Sequence, residues 1–169
     1  MADHTLWDDV IPKLDTKSVE FSDPSYGKTI EEMAEYTLAN APAQFDLVGF
    51  SMGGYIARAM VRLAPERVKR LVLIATSARG DTEEQKARKI AAVDFLNSTN
   101  TFRGLSRYSI TGSLHTDRAN DEVLINRIRE MSVRLGRDVF TQQSLLVRDA
   151  DLDILSQIKC PTLILAGED

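Results

Sequence analysis

A serine between an apolar strand and an amphipathic helix is the feature that most constrains the fold of this 169-residue chain. The run Phe45–Phe50 has the composition of a short buried strand, and a helical pattern begins directly afterwards, at Met52. Pro65 ends the helix, and a second apolar strand is predicted at 68–76. Strand, helix and strand within about 30 residues form a βαβ unit, which predicts a parallel sheet flanked by helices.

Ser51 stands at the centre of a G-x-S-x-G pattern that runs from Gly49 to Gly53. A serine at a sharp strand-to-helix turn is typical of a nucleophile elbow. We expect strand and helix to approach closely because Gly49 and Gly53 have no side chains, and we expect Gly54 to relieve crowding at the next position. The N–H of Met52, at the positive end of the helix dipole, would stabilise an oxyanion. A phosphate-binding glycine turn is disfavoured, because neither G-x-x-x-x-G-K nor G-x-G-x-x-G occurs.

The remaining patterns predict a helical insertion within an α/β core. Thr29 and Glu32 are spaced for a capping box at the start of a helix that ends near Asn40. Strand patterns are missing from 81–148 and return at Pro161–Ala166, which is expected to be a buried strand. Further elements are predicted as a helix over 4–14 that Pro12 ends or kinks, a strand over 18–21, helices over 82–96, 101–114, 121–135 and 138–147, and a short helix over 151–158.

The run from Phe45 to Tyr55 resembles the elbow of α/β-hydrolase fold proteins, most closely single-domain esterases and the 3-oxoadipate enol-lactonase-like group. Three further segments resemble, in the family's order, the helix before the nucleophile strand, the next strand, and the strand that leads to the catalytic acid: 29–34, 67–73 and 158–169. The resemblance implies an α/β fold with a mostly parallel sheet and an all-helical cap insertion. Its implied parts are a partial core over 1–78, the cap over 79–150, and a return to the core over 151–169.

The resemblance also implies a serine–acid–histidine triad, of which the chain carries only part. Asp169 is the candidate acid, one position short of where a Gly-x-x-Asp pattern starting at Gly167 would place it. No later histidine follows. His4 is expected to be an exposed helix-entry residue and His115 a polar residue of the cap, and Asp81 is explained by helix capping. We therefore expect a piece of a longer protein, truncated at both ends.

Two functional hypotheses follow. The first is a serine hydrolase that acts on small carboxylic esters or lactones through an acyl-enzyme at Ser51, without a cofactor and with incomplete machinery in this chain. The second is a non-catalytic fragment or homologue that binds a small molecule or a partner without turnover. The family's oxyanion loop and an inner strand are missing here, and the strand edges exposed by that gap favour a homo-oligomer or a strand-swapped dimer.

Composition excludes several other classes. Apolar residues make up 43% and charged residues 27% of the chain, as in globular proteins. A formal net charge of -4 gives little attraction to nucleic acid or anionic membranes. No apolar run reaches the roughly 20 residues of a membrane helix, and no signal peptide is evident, so we expect a cytoplasmic protein. Cys160 alone forms no internal disulfide or metal cluster, and it is expected to be a small buried residue.

Overall fold

The computed structural model describes residues 1–16, 18–23, 25–99 and 101–167, which fall into two compact units. The core unit consists of Ser22–Ala87 and of the described residues 146–167. The helical unit consists of Met1–Phe21 and Arg88–Leu145. Each unit is described in turn below. The domain boundaries expected at 79 and 150 stay predictions.

The core unit contains a three-stranded parallel sheet in the order β1-β2-β3. Its strands are β1 (Phe45–Phe50), β2 (Val68–Ile74) and β3 (Thr162–Leu165). Phe50 is aligned with Ile74, and Ile74 with Leu165, so the carboxyl ends of all three strands meet at one edge. The expected α/β class with a parallel sheet is confirmed.

Two helices of the core unit pack against each other and against the sheet. They are α1 (Ile30–Asn40) and α2 (Met52–Leu63). The predicted capping box is present at α1, where Thr29 Oγ1 accepts the N–H of Glu32 at 3.1 Å. The Glu32 carboxylate reaches back to the N–H of Lys28, one residue earlier than expected. The apolar core comprises a cluster between α1 and α2 and another between α2 and β2: Met33, Ala34, Leu38, Ile56, Ala59, Met60, Ala64 and Leu146, then Ala57, Val61, Val68, Leu71 and Leu73.

The end of the core unit departs from the expectations in two respects. The predicted helix over 151–158 is a 3-10 helix, Leu152–Gln157. Strand β3 was expected to be buried, and this expectation was wrong: all four of its residues are exposed, with Ile164 at 69%. A strand is buried only where other elements cover its faces, and none of the described residues does so at β3.

The helical unit holds most of α3 (Glu83–Asn97), together with α4 (Arg107–Thr111) and α5 (Glu122–Leu145). Gly136 has non-helical backbone angles, with φ 82° and ψ 178°, and divides α5 into two helical segments. The predicted break between helices near this position is therefore present. The helix predicted over 101–114 shrinks to α4, because Gly104 adopts φ 79° and no helix can pass through it.

Two predictions in the N-terminal segment were wrong. The single helix over 4–14 is replaced by two 3-10 helices, His4–Trp7 and Ile11–Lys13. Pro12 lies in the second one, where its missing N–H prevents a continuous helix. The described residues 18–21 are exposed and form no strand, since none of the described strands pairs with them. Among the described residues, no helix is long and apolar enough to cross a membrane.

Candidate active site

Ser51 lies between β1 and α2 in a backbone conformation that residues other than glycine rarely adopt. Its φ is 51° and its ψ is -115°, so the residue is strained. Its N–H donates to the carbonyl of Ile74 at 2.9 Å, and its own carbonyl accepts the N–H of Gly54 at 3.0 Å. The hydroxyl of Thr76 donates to the same carbonyl at 2.8 Å. The backbone of Ser51 is thus held on both sides while the residue itself is exposed.

The glycines around Ser51 are required at positions that differ in part from those expected. A Cβ atom at Gly49 would lie 2.6 Å from the carbonyl oxygen of Gly53, so strand and helix do approach there. A Cβ atom at Gly54 would lie 2.3 Å from Thr76 Oγ1. The space around Gly53 is open, with nothing within 4 Å. The expectation that close packing requires Gly53 was therefore wrong, and Gly49 and Gly54 meet that requirement.

Met52 is the first residue of α2, directly after Ser51. The first N–H groups of a helix have no acceptor within it, and the Ser51 side chain does not cap them. The first turn contains no acidic residue that would repel an anion. The N–H of Met52 therefore lies at a helix end suited to stabilise negative charge, and its place in an oxyanion hole stays a prediction.

A cavity of about 450 Å³ adjoins Ser51 within the core unit. The hydroxyl of Tyr55 donates to the carbonyl of Arg79 at 2.9 Å and fixes one wall of the cavity. The guanidinium of Arg148 lies 5.7 Å from the centre of the Tyr55 ring. The cavity is lined by Ser51, Tyr55, Ala75, Thr76, Ser77, Arg79, Gly80, Asp81, Thr82, Gln85 and Arg148.

A largely buried ion pair joins Arg58 on α2 to Asp151. Arg58 is 1% exposed, and its Nε donates to Asp151 Oδ2 at 2.7 Å. A second donor of Arg58 reaches the carbonyl of Ser77 at 2.7 Å, and its guanidinium lies 4.7 Å from the centre of the Tyr55 ring. Sequence reasoning missed Arg58, since an arginine inside an amphipathic helix is ordinarily exposed. The small residues on either side of it, Ala57 and Ala59, are the only local signal of its burial.

Thr76 and Arg148 were also missed as neighbours of Ser51. Thr76 could have been found, because it is the last residue of a predicted strand next to the nucleophile strand, and the ends of parallel strands meet at one edge. Arg148 carries no such signal. It comes from a distant segment of the chain, and only the fold brings it to the same cavity as Ser51.

The two acidic residues considered in the sequence, Asp169 and Asp81, are the next site residues to locate. Asp169, the candidate acid, lies outside the described residues. Asp81 lines the cavity beside Ser51. The capping of α3 predicted for Asp81 belongs to Thr82 instead, whose Oγ1 accepts the N–H of Gln85 at 3.2 Å while Gln85 Oε1 accepts the N–H of Thr82 at 2.8 Å.

The two histidines belong to the helical unit. The ring of His4 lies 5.8 Å from the ring of Phe21, and His4 is exposed at the start of a 3-10 helix, as expected. Nδ1 of His115 accepts the N–H of Asp117 at 3.3 Å. Of the described residues that line the cavity, none is a histidine.

The described cysteine and the other metal-binding side chain types form no metal site. Cys160, which was expected to be buried, is half-buried and free. Within the described part of the chain, no group of three or more His, Cys, Asp or Glu side chains is arranged to hold a metal ion.

Comparison with known proteins identifies the family. The family profile described as "alpha/beta hydrolase fold" matches residues 16–168. The chain belongs to this family. The solved structure of a hydrolase from Pseudomonas aeruginosa PA01 resembles this α/β-hydrolase with a TM-score of 0.74 and 25% identity, over 98% of this chain and 68% of the other. The resemblance stated from the sequence is thereby confirmed.

Curated relatives of this α/β-hydrolase are esterases. The pimeloyl-[acyl-carrier protein] methyl ester esterase of Photobacterium profundum is 39% identical over 44% of this chain and 33% of its own length. The enzyme of the same name from Sodalis glossinidius is 28% identical over 96% of this chain and 69% of its own length. The chain spans about half the length of a third such relative, from Klebsiella pneumoniae (51%).

Proposed function

We propose that this α/β-hydrolase chain carries the nucleophile of an enzyme that hydrolyses small carboxylic esters or lactones. The observation that carries the proposal is the strained Ser51 at the strand-to-helix turn, exposed beside a cavity and next to the N-terminus of α2. The names of the curated relatives, which are methyl ester esterases, support ester hydrolysis. On this ground we propose esters, rather than other acyl compounds, as the substrates.

The chemistry follows from this arrangement. The hydroxyl of Ser51 attacks the substrate carbonyl carbon, and a general base takes the hydroxyl proton. The N–H of Met52 donates to the oxyanion of the tetrahedral intermediate. The alcohol leaves with a proton, and water then releases the acid from the acyl-enzyme. Asp169 is our candidate for the acid that orients the base.

A fluorophosphonate probe tests the proposal directly. We expect one adduct on the intact protein, located at Ser51 by peptide mass spectrometry and missing in Ser51→Ala. Ser77→Ala is a matched control, because Ser77 lines the same cavity. We expect the Ser77→Ala protein to be labelled at Ser51 as the unmodified protein is. A protein that acquires no adduct at Ser51 is not an active hydrolase, and this result favours the alternative, in which the chain binds a ligand or partner without turnover.

A further inference from the structure

Two strained residues lie side by side at the edge of the sheet where the nucleophile stands. Ser51 follows β1 with φ 51°, and Ala75 follows β2 with φ 46°. They are neighbours because the register aligns Phe50 with Ile74. Left-handed conformations of residues other than glycine persist only where the surrounding structure holds them. The contacts that hold Ser51 therefore decide where its hydroxyl points.

Thr76, which lies just after the carboxyl end of β2, supplies one of these contacts. Its Oγ1 donates to the carbonyl of Ser51 at 2.8 Å. The turn at Ala75 is itself anchored, because the Ala75 N–H donates to the carbonyl of Leu165 at 2.9 Å. The approach depends on Gly54, since a Cβ atom there would lie within 2.6 Å of three side-chain atoms of Thr76. Thr76 thus fills the space that Gly54 leaves beside the nucleophile turn.

We propose that Thr76 is a positioning residue for Ser51. Its hydroxyl bond to the Ser51 carbonyl keeps the strained turn in place and so keeps the side-chain oxygen at the apex, beside the N–H groups of α2. Without this bond, the carbonyl retains the N–H of Gly54, and Ser51 relaxes toward an ordinary backbone conformation. The side-chain oxygen then moves away from the helix N-terminus. The inference rests on the proposed function only for the role of Ser51 as nucleophile.

A thiol placed at position 51 measures this effect without any hydrolysis. The background is Ser51→Cys with Cys160→Ser, which removes the chain's single native cysteine. A thiol at a helix N-terminus has a pKa below its ordinary value of about 8.5, and the rate of alkylation by iodoacetamide across pH reports that pKa. We expect Thr76→Val to raise the thiol pKa and to slow alkylation at pH 7 about fivefold. Thr76→Ser, which keeps the hydroxyl, is expected to restore both.

The matched control is Thr37→Val, because Thr37 Oγ1 donates to the carbonyl of Met33 at the same 2.8 Å on α1, away from the elbow. We expect this control to leave the thiol pKa unchanged. If Thr76→Val does not fold, Thr76→Ala and Thr37→Ala carry the same comparison without added bulk. A Thr76 variant that lowers the melting temperature but leaves the thiol pKa and alkylation rate of the background unchanged overturns the proposal.

The thiol measurement and the fluorophosphonate test fail independently. A protein that takes no fluorophosphonate but shows the expected change in thiol pKa supports the role of Thr76 and rejects the hydrolase proposal. A protein that is labelled at Ser51, but whose thiol pKa at position 51 does not change in Thr76→Val, supports the hydrolase proposal and rejects the positioning role of Thr76. In that case Thr76 contributes packing alone.

Discussion

One ion pair from each unit shows how burial changes what the pair contributes. In the core unit, Arg58 is 1% exposed and its pair with Asp151 is reinforced by a bond to the carbonyl of Ser77. In the helical unit, Arg134 pairs with Asp3, and here the arginine side chain is 47% exposed while the Asp3 side chain is 11% exposed. Removing one partner of a buried pair leaves an uncompensated charge, whereas water replaces a lost partner at the surface. The core unit should therefore depend on its pair far more than the helical unit does.

Removing Arg58 should have the largest effect. In Arg58→Met the carboxylate of Asp151 loses its partner in a site where, among the described residues, its Oδ1 already has no hydrogen-bond partner. We expect the free energy of unfolding to fall by about 3 kcal/mol, the lower end for a broken buried pair, because Asp151 keeps some exposure to water. Urea denaturation followed by circular dichroism measures the loss.

Arg62→Met on the same helix is the matched control for Arg58→Met. The Arg62 pair with Glu31 is exposed, at 40% and 56%, so its loss should cost less than about 1 kcal/mol. Equal losses for Arg58→Met and Arg62→Met would show that burial does not distinguish these pairs.

The close contact at the elbow should give the next largest effect. Gly54→Ala places a Cβ atom 2.3 Å from Thr76 Oγ1, so we expect a loss of about 1–3 kcal/mol from forced displacement of Thr76. Gly53→Ala introduces the same methyl group one residue earlier, where nothing lies within 4 Å. It should leave stability unchanged or raise it by about 0.5 kcal/mol, because alanine favours a helix over glycine. Thermal unfolding of the two variants decides the matter, and a larger loss for Gly53→Ala would be inconsistent with the packing described.

The smallest effect is expected in the helical unit, and it depends on pH. Burial of Asp3 alone would raise its pKa, but the hydrogen bonds from Arg134 and Thr5 outweigh it and lower the pKa to about 2. The ionised form is therefore favoured in the folded protein, so Asp3 stabilises the fold above its ordinary pKa of 3.8 and loses this contribution as the pH falls toward 2.

Asp3→Asn should lower the free energy of unfolding by no more than about 1 kcal/mol at pH 7, after solvent screening, and this difference should disappear as the pH falls through about 2. Denaturation curves at several pH values follow the difference from the unmodified protein. Asp15→Asn, an exposed carboxylate of the same N-terminal segment, is the control for the change in net charge. A difference between Asp3→Asn and the unmodified protein that grows on acidification would run against this account.

The parts of the fold that were predictable are those with local causes. The capping box at Thr29, the apolar runs of β1 and β2, and the proline that ends α2 each act within a few residues, so the sequence alone locates α1, β1, α2 and β2. The place of Ser51 followed in the same way. Predictions failed where a distant partner was needed: 18–21 has no described strand to pair with, and none of the described residues covers β3.

The sequence by itself therefore determined the family, the parallel βαβ unit and the turn that carries Ser51, because these depend on residue types at fixed short spacings. Only the tertiary structure decided which glycine the turn cannot lose, that Thr76 holds the Ser51 carbonyl, and that Arg58 is buried against Asp151. Each of these results from residues that are distant along the chain and close in space. The strength of a hydrogen bond or ion pair depends on that proximity and on burial, neither of which a local pattern contains.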